Sequence, residues 1–363
     1  MDFAPFNQYL PPFEHPLVIS GPCSVETEEQ VNETAQGLAQ DTRVKVLRGG
    51  IWKPRTRPNQ FEGVGDMGLP WLVQAAKSNG FLSTTEVANA HHVEAALKAG
   101  VDILWIGART TVNPFSVQEI ADALKGVDVP VWIKNPVNPD LQLWLGAIER
   151  VYGAGIHKIA AIHRGFSSSA PTPYRNAPRW ELAIELKRLL PELPFICDPS
   201  HICGRRDLLQ HVAQKALDLE MQGLMLESHR NPDAAWSDAK QQVTPSRLTE
   251  LLSDLVLRST APTQANVHQH LQNLREQVDL IDEELLEKMA ARMNLVSEIG
   301  KYKSHHGITI LQMDRWRTVI EKWNREGLLH HLDSEFIHQL LQVVHKESIR
   351  LQTEVMNQPE RKK

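Results

Sequence analysis

Four residues of this sequence carry different donor atoms and could together hold a metal ion. Cys23 offers sulfur, His201 offers nitrogen, and Glu227 and Asp238 offer oxygen. This mixture suits a divalent transition metal better than Ca²⁺ or Mg²⁺, which prefer oxygen ligands. The spacing of the four residues is not a recognised metal motif by itself. An alternative therefore stays open, in which Cys23 is a small buried hydrophobic residue and His201 is a capped loop residue.

Five cationic residues form a second group that could bind a ligand. They are Arg48, Lys53, Arg109, Lys134 and Arg164. If they share one site, that site requires a polyanionic ligand, such as one that carries a phosphate and a carboxylate. Each residue taken singly could instead be solvated or paired with a helix carboxylate, but this explains all five together poorly.

Both groups follow short apolar segments, and these segments must position them. Eight such runs alternate with amphipathic helical stretches between about residues 17 and 258. The runs are LVISGPC (17–23), VKVLRGG (44–50), FLSTTEV (81–87), ILWIGAR (103–109), VPVWIKN (129–135), IHKIAAIHR (156–164), PFICDPSH (194–201) and GLMLESH (223–229). Eight strand–helix units predict an α/β fold of the (β/α)₈ TIM-barrel type, with its active site at the C-terminal ends of the strands. A doubly wound open sheet is the alternative, because sequence alone does not show closure.

Composition excludes several classes of protein. The chain has 363 residues, of which 42% are hydrophobic and 23% charged, as in soluble globular proteins. The formal net charge of −5 argues against a nucleic-acid partner bound through bulk basicity. We find neither a long uncharged apolar run nor an export signal, so we expect a cytoplasmic protein without a membrane partner. The 3 cysteines cannot all pair, which makes a disulfide scaffold a poor interpretation.

A second, all-helical domain follows the predicted barrel. We assign the barrel to residues 1–258, a linker to 259–270 and the helical domain to 271–363. Three helices are expected, at about 271–304, at about 313–326 and from an N-cap at Asp333 onward. In the first of them, apolar residues recur at three- and four-residue steps, namely Leu274, Val278, Ile281, Leu285, Met289, Val296 and Ile299. That helix is too long to bury this face inside so small a monomer, which predicts an intertwined dimer.

Seven motifs of the predicted barrel occur in an order that is typical of one enzyme family. They are GPCSVE (21–26), LRGGIWKPRT (47–56), IGAR (106–109), IKNP (133–136), HRGF (163–166), DPSH (198–201) and LESH (226–229). On these motifs the barrel resembles 3-deoxy-D-arabino-heptulosonate 7-phosphate (DAHP) synthase, the first enzyme of the shikimate pathway. The similar synthase of an eight-carbon sugar phosphate normally carries a K-A-N-R type loop. This chain has Lys53-Pro54-Arg55-Thr56 instead, which favours erythrose 4-phosphate as the acceptor.

The resemblance implies a role for each residue of the barrel site. Cys23, His201, Glu227 and Asp238 would bind one divalent metal per barrel, Mn²⁺, Fe²⁺, Co²⁺ or Zn²⁺, and no organic cofactor is expected. Phosphoenolpyruvate would be bound by Arg48, Lys53, Arg109, Lys134 and Arg164, whereas Arg55, Thr56 and Asp198 would face erythrose 4-phosphate. Lys53, Lys134 and His201 would take part in catalysis. A metal-dependent aldolase that acts on another phosphosugar is the competing hypothesis.

The helical domain resembles the all-helical bacterial chorismate mutases. The matching segments are LREQVDLIDEELLEKMAARMNLVSEIGKYK (274–303), MDRWR (313–317) and HHLDSEFIHQLLQVVHKESIRLQ (330–352). Chorismate is a dicarboxylate, so its site needs cations for two carboxylates and a donor for the ether oxygen of the breaking bond. The residues that fit the family's positions are Arg275, Arg292, Lys303, Arg315, Ser348 and Gln352.

Within this set the resemblance assigns Arg292, Lys303 and Gln352 to catalysis, the last two at the ether oxygen. It also implies a homodimer through this domain, with a larger assembly left open, in which Arg275 reaches the partner's site. Two departures predict an active but modest mutase, because Trp316 and Gln312 stand where many members carry a Glu and an Asp. The alternative is a non-catalytic, dimerising sensor for chorismate or prephenate. In either case feedback on the synthase would act through this domain.

Overall fold

The protein is described by a computed structural model that covers residues 1–53, 61–259 and 264–357. It contains two compact units, Met1–Thr260 and Ala261–Lys363. Among the described residues, no helix combines the length and the apolar character that crossing a bilayer requires.

The first unit is a closed barrel of eight parallel strands. The strands are β1 (Leu17–Gly21), β2 (Val44–Arg48), β3 (Leu82–Val87), β4 (Ile103–Ile106), β5 (Val131–Lys134), β6 (Ile159–His163), β7 (Phe195–Cys197) and β8 (Gly223–Glu227). Each strand pairs with its neighbours in chain order, and β8 pairs with β1 along the whole of Leu17–Gly21. The predicted TIM barrel is therefore confirmed, and the open-sheet alternative is wrong because the sheet has no free edge.

Ten α-helices among the described residues of this unit complete the barrel. They are α1 (Glu28–Leu38), α2 (Gly68–Ser78), α3 (Ala90–Ala99), α4 (Ala108–Thr111), α5 (Pro114–Ala123), α6 (Leu141–Gly153), α7 (Trp180–Leu189), α8 (Pro199–Cys203), α9 (Leu209–Asp218) and α10 (Pro245–Ser253). Several of them begin after a capping residue, which is Thr27 for α1, Asp140 for α6 and Asp198 for α8. Each cap accepts a hydrogen bond from a backbone N–H of the first turn, which would otherwise lack a partner.

Alternating strand residues build two separate cores. Ile19 and Met225 belong to the core inside the barrel, whereas Val18 and Leu224 belong to the core between the strands and the helices. This follows from the two-residue period of a strand, which sends successive side chains to opposite faces.

The amino-terminal segment closes one end of the barrel, which the sequence did not predict. Phe6 and Leu10 are buried in the inner core together with Leu17 and Ile103, the first residues of β1 and β4. The ring of Phe6 lies edge-on to that of Trp132, with 6.2 Å between the centroids. The strand carboxyl ends at the opposite face are thus left to the polar residues.

Residues 264–357 of the second unit form three helices, α11 (Ala265–His305), α12 (Met313–Leu329) and α13 (Ser334–Asn357). Helix α11 begins within the predicted linker, because Ala265–His270 contains no Gly or Pro to end it. The linker prediction is therefore wrong for these six residues. Asp333 caps α13 as predicted, since its Oδ1 accepts hydrogen bonds from the N–H groups of Glu335 and Phe336 at 3.0 Å each.

The predicted apolar face of α11 is largely uncovered within the single chain. Val296 is buried, but Leu274, Val278, Ile281 and Leu285 expose 44%, 54%, 63% and 57% of their surface. A regular stripe of half-exposed leucine and valine side chains is typical of a surface that meets another protein chain.

Candidate active sites

The carboxyl ends of the strands bring the polar residues of the barrel to one face. Arg48, Lys134 and Glu227 are the last residues of β2, β5 and β8. The pairing of Gly21 with Glu227 brings the end of β1, and with it Cys23, next to Glu227. This placement follows from the parallel barrel, in which all strands end at the same rim.

His201 reaches this rim on α8. Asp198 caps that helix, its Oδ1 accepting a hydrogen bond from the backbone N–H of His201 at 3.0 Å. The ring of His201 also approaches Asp198, with Nδ1 2.8 Å from Oδ2. The first residue of the DPSH motif therefore caps the helix and also orients the histidine ring of the same motif.

The four candidate metal donors lie in two pairs. Cys23 Sγ is 3.2 Å from Asp238 Oδ2, and His201 Nε2 is 3.7 Å from Glu227 Oε1. Across the described ranges, no three His, Cys, Asp or Glu side chains converge as a preformed metal site. Glu227 Oε1 is nevertheless buried and accepts no hydrogen bond from the described residues. The sulfur, nitrogen and oxygen donors fit a divalent transition metal in their chemistry.

Cations surround these donors and keep the carboxylates charged. Lys53 Nζ lies 2.9 Å from Cys23 Sγ, and Arg48 lies 3.3 Å from Glu227 Oε1. Burial alone would raise the pKa of Glu227, but the neighbouring His201 and Arg48 hold it below its ordinary value. Burial, reinforced by the charge of Glu227, raises the pKa of the Cys23 thiol to about 12.

Burial and neighbouring cations also have opposite effects on the pKa of Asp238. Burial acts to raise the pKa of its carboxyl, but Arg175 and Lys53 hold it well below the ordinary value. Its backbone adopts a left-handed conformation with φ 47°, which Asp tolerates better than most residues.

Two of the five predicted cations are held over one aromatic ring. Arg48 and Lys134 expose only 1% and 3% of their surface. Their charged groups lie 5.0 Å and 5.4 Å from the centroid of the Trp105 ring. Lys134 also forms an ion pair of 2.9 Å with Asp198. The indole face and the Asp198 carboxylate orient these cations at the rim.

The remaining cations are less uniform in environment. Burial lowers the pKa of Arg164 to about 10, with Asp198 opposing the shift, so this residue remains a cation at neutral pH. The backbone N–H of Arg164 donates to Asn135 Oδ1 at 2.7 Å. Arg109 is exposed at the start of α4. Arg55 and Thr56, predicted to face the sugar phosphate, lie outside the described residues.

Two further polar residues belong to this site and were missed from the sequence. Arg175, between β6 and α7, donates to Asp238 Oδ1 at 2.9 Å. Gln241, three residues after Asp238, donates to Glu227 Oε2 at 2.7 Å. Neither stands at the end of an apolar run, so the signal that pointed to the other residues is absent for these two.

The helical unit contains a second site, a cavity of about 360 Å³ between its three helices. Five of the six predicted residues line it, namely Arg292, Lys303, Arg315, Ser348 and Gln352, together with Gln312 and Trp316. Arg275 does not line it and lies exposed on α11. One chain therefore supplies three cations and two amides to this cavity, which suits a ligand with two carboxylates.

Hydrogen bonds hold the polar groups of the cavity in place. Arg292 donates to Ser348 Oγ at 2.8 Å, and Lys303 Nζ donates to the carbonyl of Ile310 at 2.6 Å. Gln352 Nε2 donates to the carbonyl of Ser348 at 3.2 Å, whereas its Oε1 has no hydrogen-bond partner among the described residues. Burial lowers the pKa of both Arg292 and Lys303.

The cavity lining also contains a titratable residue, His345, that was not predicted. The ring of His345 stacks on Trp316, with 3.7 Å between the centroids and 17° between the planes. Burial, followed by the charge of Arg292, lowers the pKa of His345. Trp316, which departs from the family pattern, thus packs against this histidine.

Comparison with known proteins assigns the barrel to a family. Residues 14–260 match the DAHP synthetase I family. The chain belongs to that family. The phospho-2-dehydro-3-deoxyheptonate aldolase of Thermotoga maritima is 34% identical over 241 residues, covering 66% of this chain and 68% of the relative. A crystal structure of the Thermotoga maritima DAHP synthase superposes with a TM-score of 0.58 at 31% identity, over 66% of this chain and 67% of that one.

The helical unit matches a second family. Residues 274–353 match chorismate mutase type II. The bifunctional chorismate mutase/prephenate dehydratase of Escherichia coli K12 is 34% identical over 85 residues, which is 23% of this chain and 22% of that relative. The predicted fusion of a DAHP synthase with a chorismate mutase domain is therefore confirmed.

Proposed function

We propose that the barrel condenses phosphoenolpyruvate with erythrose 4-phosphate to give DAHP and phosphate. The observation that carries this proposal is the gathering of Arg48, Lys53, Lys134 and Arg164 around two pairs of sulfur, nitrogen and carboxylate donors at one rim of the barrel. Two anionic substrates repel each other in water. A cationic site that binds both removes this repulsion and orients the reacting atoms.

The proposed metal site consists of Cys23, His201, Glu227 and Asp238, which would hold one Mn²⁺, Fe²⁺, Co²⁺ or Zn²⁺ ion. When bound, the ion would act as a Lewis acid on the aldehyde oxygen of erythrose 4-phosphate. The Cys23→Ala variant should lose the metal and the synthase activity but keep its fold, because it removes one ligand and little volume. A fully active Cys23→Ala enzyme would contradict the metal site.

The chain's own residues bind, orient and exchange protons. Arg48, Lys53, Arg109, Lys134 and Arg164 would hold the phosphate and carboxylate of phosphoenolpyruvate so that its C3 attacks the aldehyde carbon. Water then adds at C2, and one of its protons converts the former aldehyde oxygen into a hydroxyl. The other proton leaves with the phosphate as the bond between C2 and the phosphate oxygen breaks, which leaves the C2 carbonyl. Lys134 and His201 both contact Asp198, at 2.9 Å and 2.8 Å, so either can pass a proton within this buried group.

The acceptor is tested by comparing two sugar phosphates. We expect phosphoenolpyruvate to be consumed rapidly with erythrose 4-phosphate and much more slowly with arabinose 5-phosphate. The loss of phosphoenolpyruvate absorbance measures both rates. Equal rates would favour the competing aldolase with another acceptor. The roles of Arg55, Thr56 and Asp198 at the acceptor remain predictions.

For the helical domain we propose the rearrangement of chorismate to prephenate. Arg292 and Arg315 would bind the two carboxylates, Lys303 and Gln352 would address the ether oxygen, and Arg275 of the second copy would complete the site. The cavity of about 360 Å³ that contains four of these residues supports this assignment. Purified protein should deplete chorismate absorbance, and Arg275→Ala should abolish that activity.

A sensor without turnover is the second candidate for the helical domain. It is favoured by Trp316, which occupies the cavity beside His345 where many mutases carry a Glu. In that case Arg275→Ala would alter only inhibition or assembly, and chorismate absorbance would stay constant with the unmodified protein.

The uncovered face of α11 supports a homodimer through the helical domain. Sedimentation should show a dimer that Ile281→Lys disrupts, because that side chain is 63% exposed in the single chain. We also propose that prephenate inhibits the synthase through this domain. Synthase activity that prephenate leaves unchanged would end that proposal, and a cytoplasmic location stays a prediction.

A further inference from the structure

Arg175 and Gln241 contact the two carboxylates of the barrel site from the outside. Arg175 Nη1 donates to Asp238 Oδ1 at 2.9 Å and to Gln241 Oε1 at 2.8 Å. Gln241 Nε2 in turn donates to Glu227 Oε2 at 2.7 Å. One guanidinium is therefore connected to one oxygen of each carboxylate, directly for Asp238 and through an amide for Glu227.

The other oxygen of each carboxylate faces the remaining donors. Asp238 Oδ2 lies 3.2 Å from Cys23 Sγ, and Glu227 Oε1 lies 3.7 Å from His201 Nε2. The outer oxygens are held by Arg175 and Gln241. The inner oxygens face Cys23 and His201, the other two proposed ligands, and are therefore the ones directed toward a metal ion. Each carboxylate is thus arranged to offer a single oxygen.

The direction of the Gln241 amide depends on Arg175. Gln241 is only 1% exposed, so its partners rather than water decide which way the amide points. A guanidinium can only donate, which requires the amide oxygen to face Arg175 and places the amide NH₂ toward Glu227. A reversed amide would direct its oxygen at an ionised carboxylate and its NH₂ at a guanidinium, leaving both groups unsatisfied.

We propose that Arg175 and Gln241 are positioning residues that orient Asp238 and Glu227 for metal binding and so set the metal affinity of the barrel. This inference rests on the proposed metal site of Cys23, His201, Glu227 and Asp238. Hydrogen-bond partners of metal ligands fix the orientation of those ligands, and their removal typically weakens metal binding about 10- to 100-fold.

A purely electrostatic role for Arg175 predicts the opposite sign. A guanidinium repels a divalent cation, so its removal alone would tighten metal binding. The side chain of Arg175 is 45% exposed, and solvent screens much of that repulsion. The Gln241→Leu variant separates the two effects further, since it removes the hydrogen bonds without changing charge and with little change in volume.

The test is a Co²⁺ titration of the full-length chain after removal of metals with EDTA. The absorbance of the thiolate-to-Co²⁺ charge transfer reports binding at Cys23 independently of activity. We expect Arg175→Ala and Gln241→Leu each to bind Co²⁺ about 10- to 100-fold more weakly than the unmodified chain. Arg175→Lys should show an intermediate loss, because an ammonium retains the charge but not the planar donor geometry.

Arg205→Ala is the matched control. Arg205 is an exposed arginine that pairs with Asp207 at 2.6 Å, as Arg175 pairs with Asp238, but it contacts no proposed ligand. Its loss should leave Co²⁺ affinity unchanged. Circular dichroism checks the fold of every variant, and Gln241→Asn, whose shorter amide cannot span both partners, replaces Gln241→Leu if the latter does not fold.

The outcomes separate the two levels of inference. If the unmodified chain shows the charge-transfer band but both variants bind Co²⁺ equally well, or Arg175→Ala binds it more tightly, the positioning role is wrong and the metal site stands. If the unmodified chain shows no band, or Cys23→Ala keeps full Co²⁺ affinity, the metal site itself is contradicted and the positioning role with it.

Discussion

Lys134 and Asp198 form a buried ion pair that joins the ends of β5 and β7, with 2.9 Å between Nζ and Oδ2. Neither partner is exposed by more than 3%. Burial alone would raise the pKa of Asp198, but the adjacent His201 and Lys134 hold it well below its ordinary value. The carboxylate therefore compensates the buried ammonium and at the same time caps the helix that carries His201.

We expect Asp198→Asn to destabilise the barrel by about 3 kcal/mol, because it leaves a buried ammonium without a counter-charge. Synthase activity should fall with it, since Lys134 and His201 both lose their common partner. The control is Asp128→Asn, which removes an ion pair of 2.7 Å with Lys158 at a site where Asp128 is 86% exposed. That variant should cost less than about 1 kcal/mol. Equal losses in urea unfolding, followed by tryptophan fluorescence, would contradict the structural role of the buried pair.

Phe6→Ala tests the closure of the amino end of the barrel. Phe6 is 4% exposed and packs edge-on against Trp132, so its truncation leaves a cavity in the inner core. We expect a loss of about 3–5 kcal/mol in the free energy of unfolding. Phe115→Ala, at a side chain that is 88% exposed, is the control and should change stability by less than about 0.5 kcal/mol. A Phe6→Ala barrel as stable as the control would show that the segment is not part of the core.

The polar residues at the rim of the barrel could be predicted from the sequence, because they follow the apolar runs that predict the strands. Each β-branched run ends in a polar residue, and parallel strands in a barrel collect those ends at one face. Arg48, Lys134 and Glu227 lie there for this reason. The number of strand–helix repeats predicts a closed sheet, and the pairing of β8 with β1 confirms it.

Long-range contacts through loops could not be predicted in the same way. Arg175 lies 63 positions from Asp238 in the chain, and nothing in the surrounding Ser- and Pro-rich segment marks it as a partner. Phe6 precedes the first strand and shows no periodicity, so its burial depends on the shape of the barrel end. In both cases the contact is created by tertiary packing, which has no local sequence signal.

His163 should make stability depend on pH. Burial, reinforced by the charge of Arg164, lowers the pKa of His163 to about 3 in the folded chain. The unfolded chain binds a proton near pH 6.5, so this group stabilises the fold fully above that pH and progressively less below it. Between pH 7 and pH 5 the loss is about 2 kcal/mol.

We therefore expect His163→Leu to lose less stability than the unmodified chain over that interval, by about 2 kcal/mol in urea unfolding. Leucine fits the surroundings, which are the rings of Trp144, Phe166 and Trp180. Because both proteins share every other histidine, the difference between their pH profiles isolates this one. Parallel profiles would show that His163 is not held neutral by burial.

Gly300→Ala tests the positioning of Gln352 in the cavity of the helical unit. A Cβ at Gly300 would lie 3.2 Å from Gln352 Cα and 3.3 Å from its Cγ, so α13 must shift by a few tenths of an ångström. Gln352 is proposed to address the ether oxygen, and small displacements of such a group are costly to catalysis. We expect the chorismate mutase kcat to fall about 10-fold, while synthase activity is unchanged. The control is Gly146→Ala in α6, where a Cβ meets nothing within 4 Å. It should leave both activities intact and raise stability by about 0.5–1 kcal/mol, because alanine is the better helix former.

If Gly300→Ala kept full mutase activity, the close approach of α11 and α13 would be a matter of packing alone, and Gln352 would not require this glycine for its position.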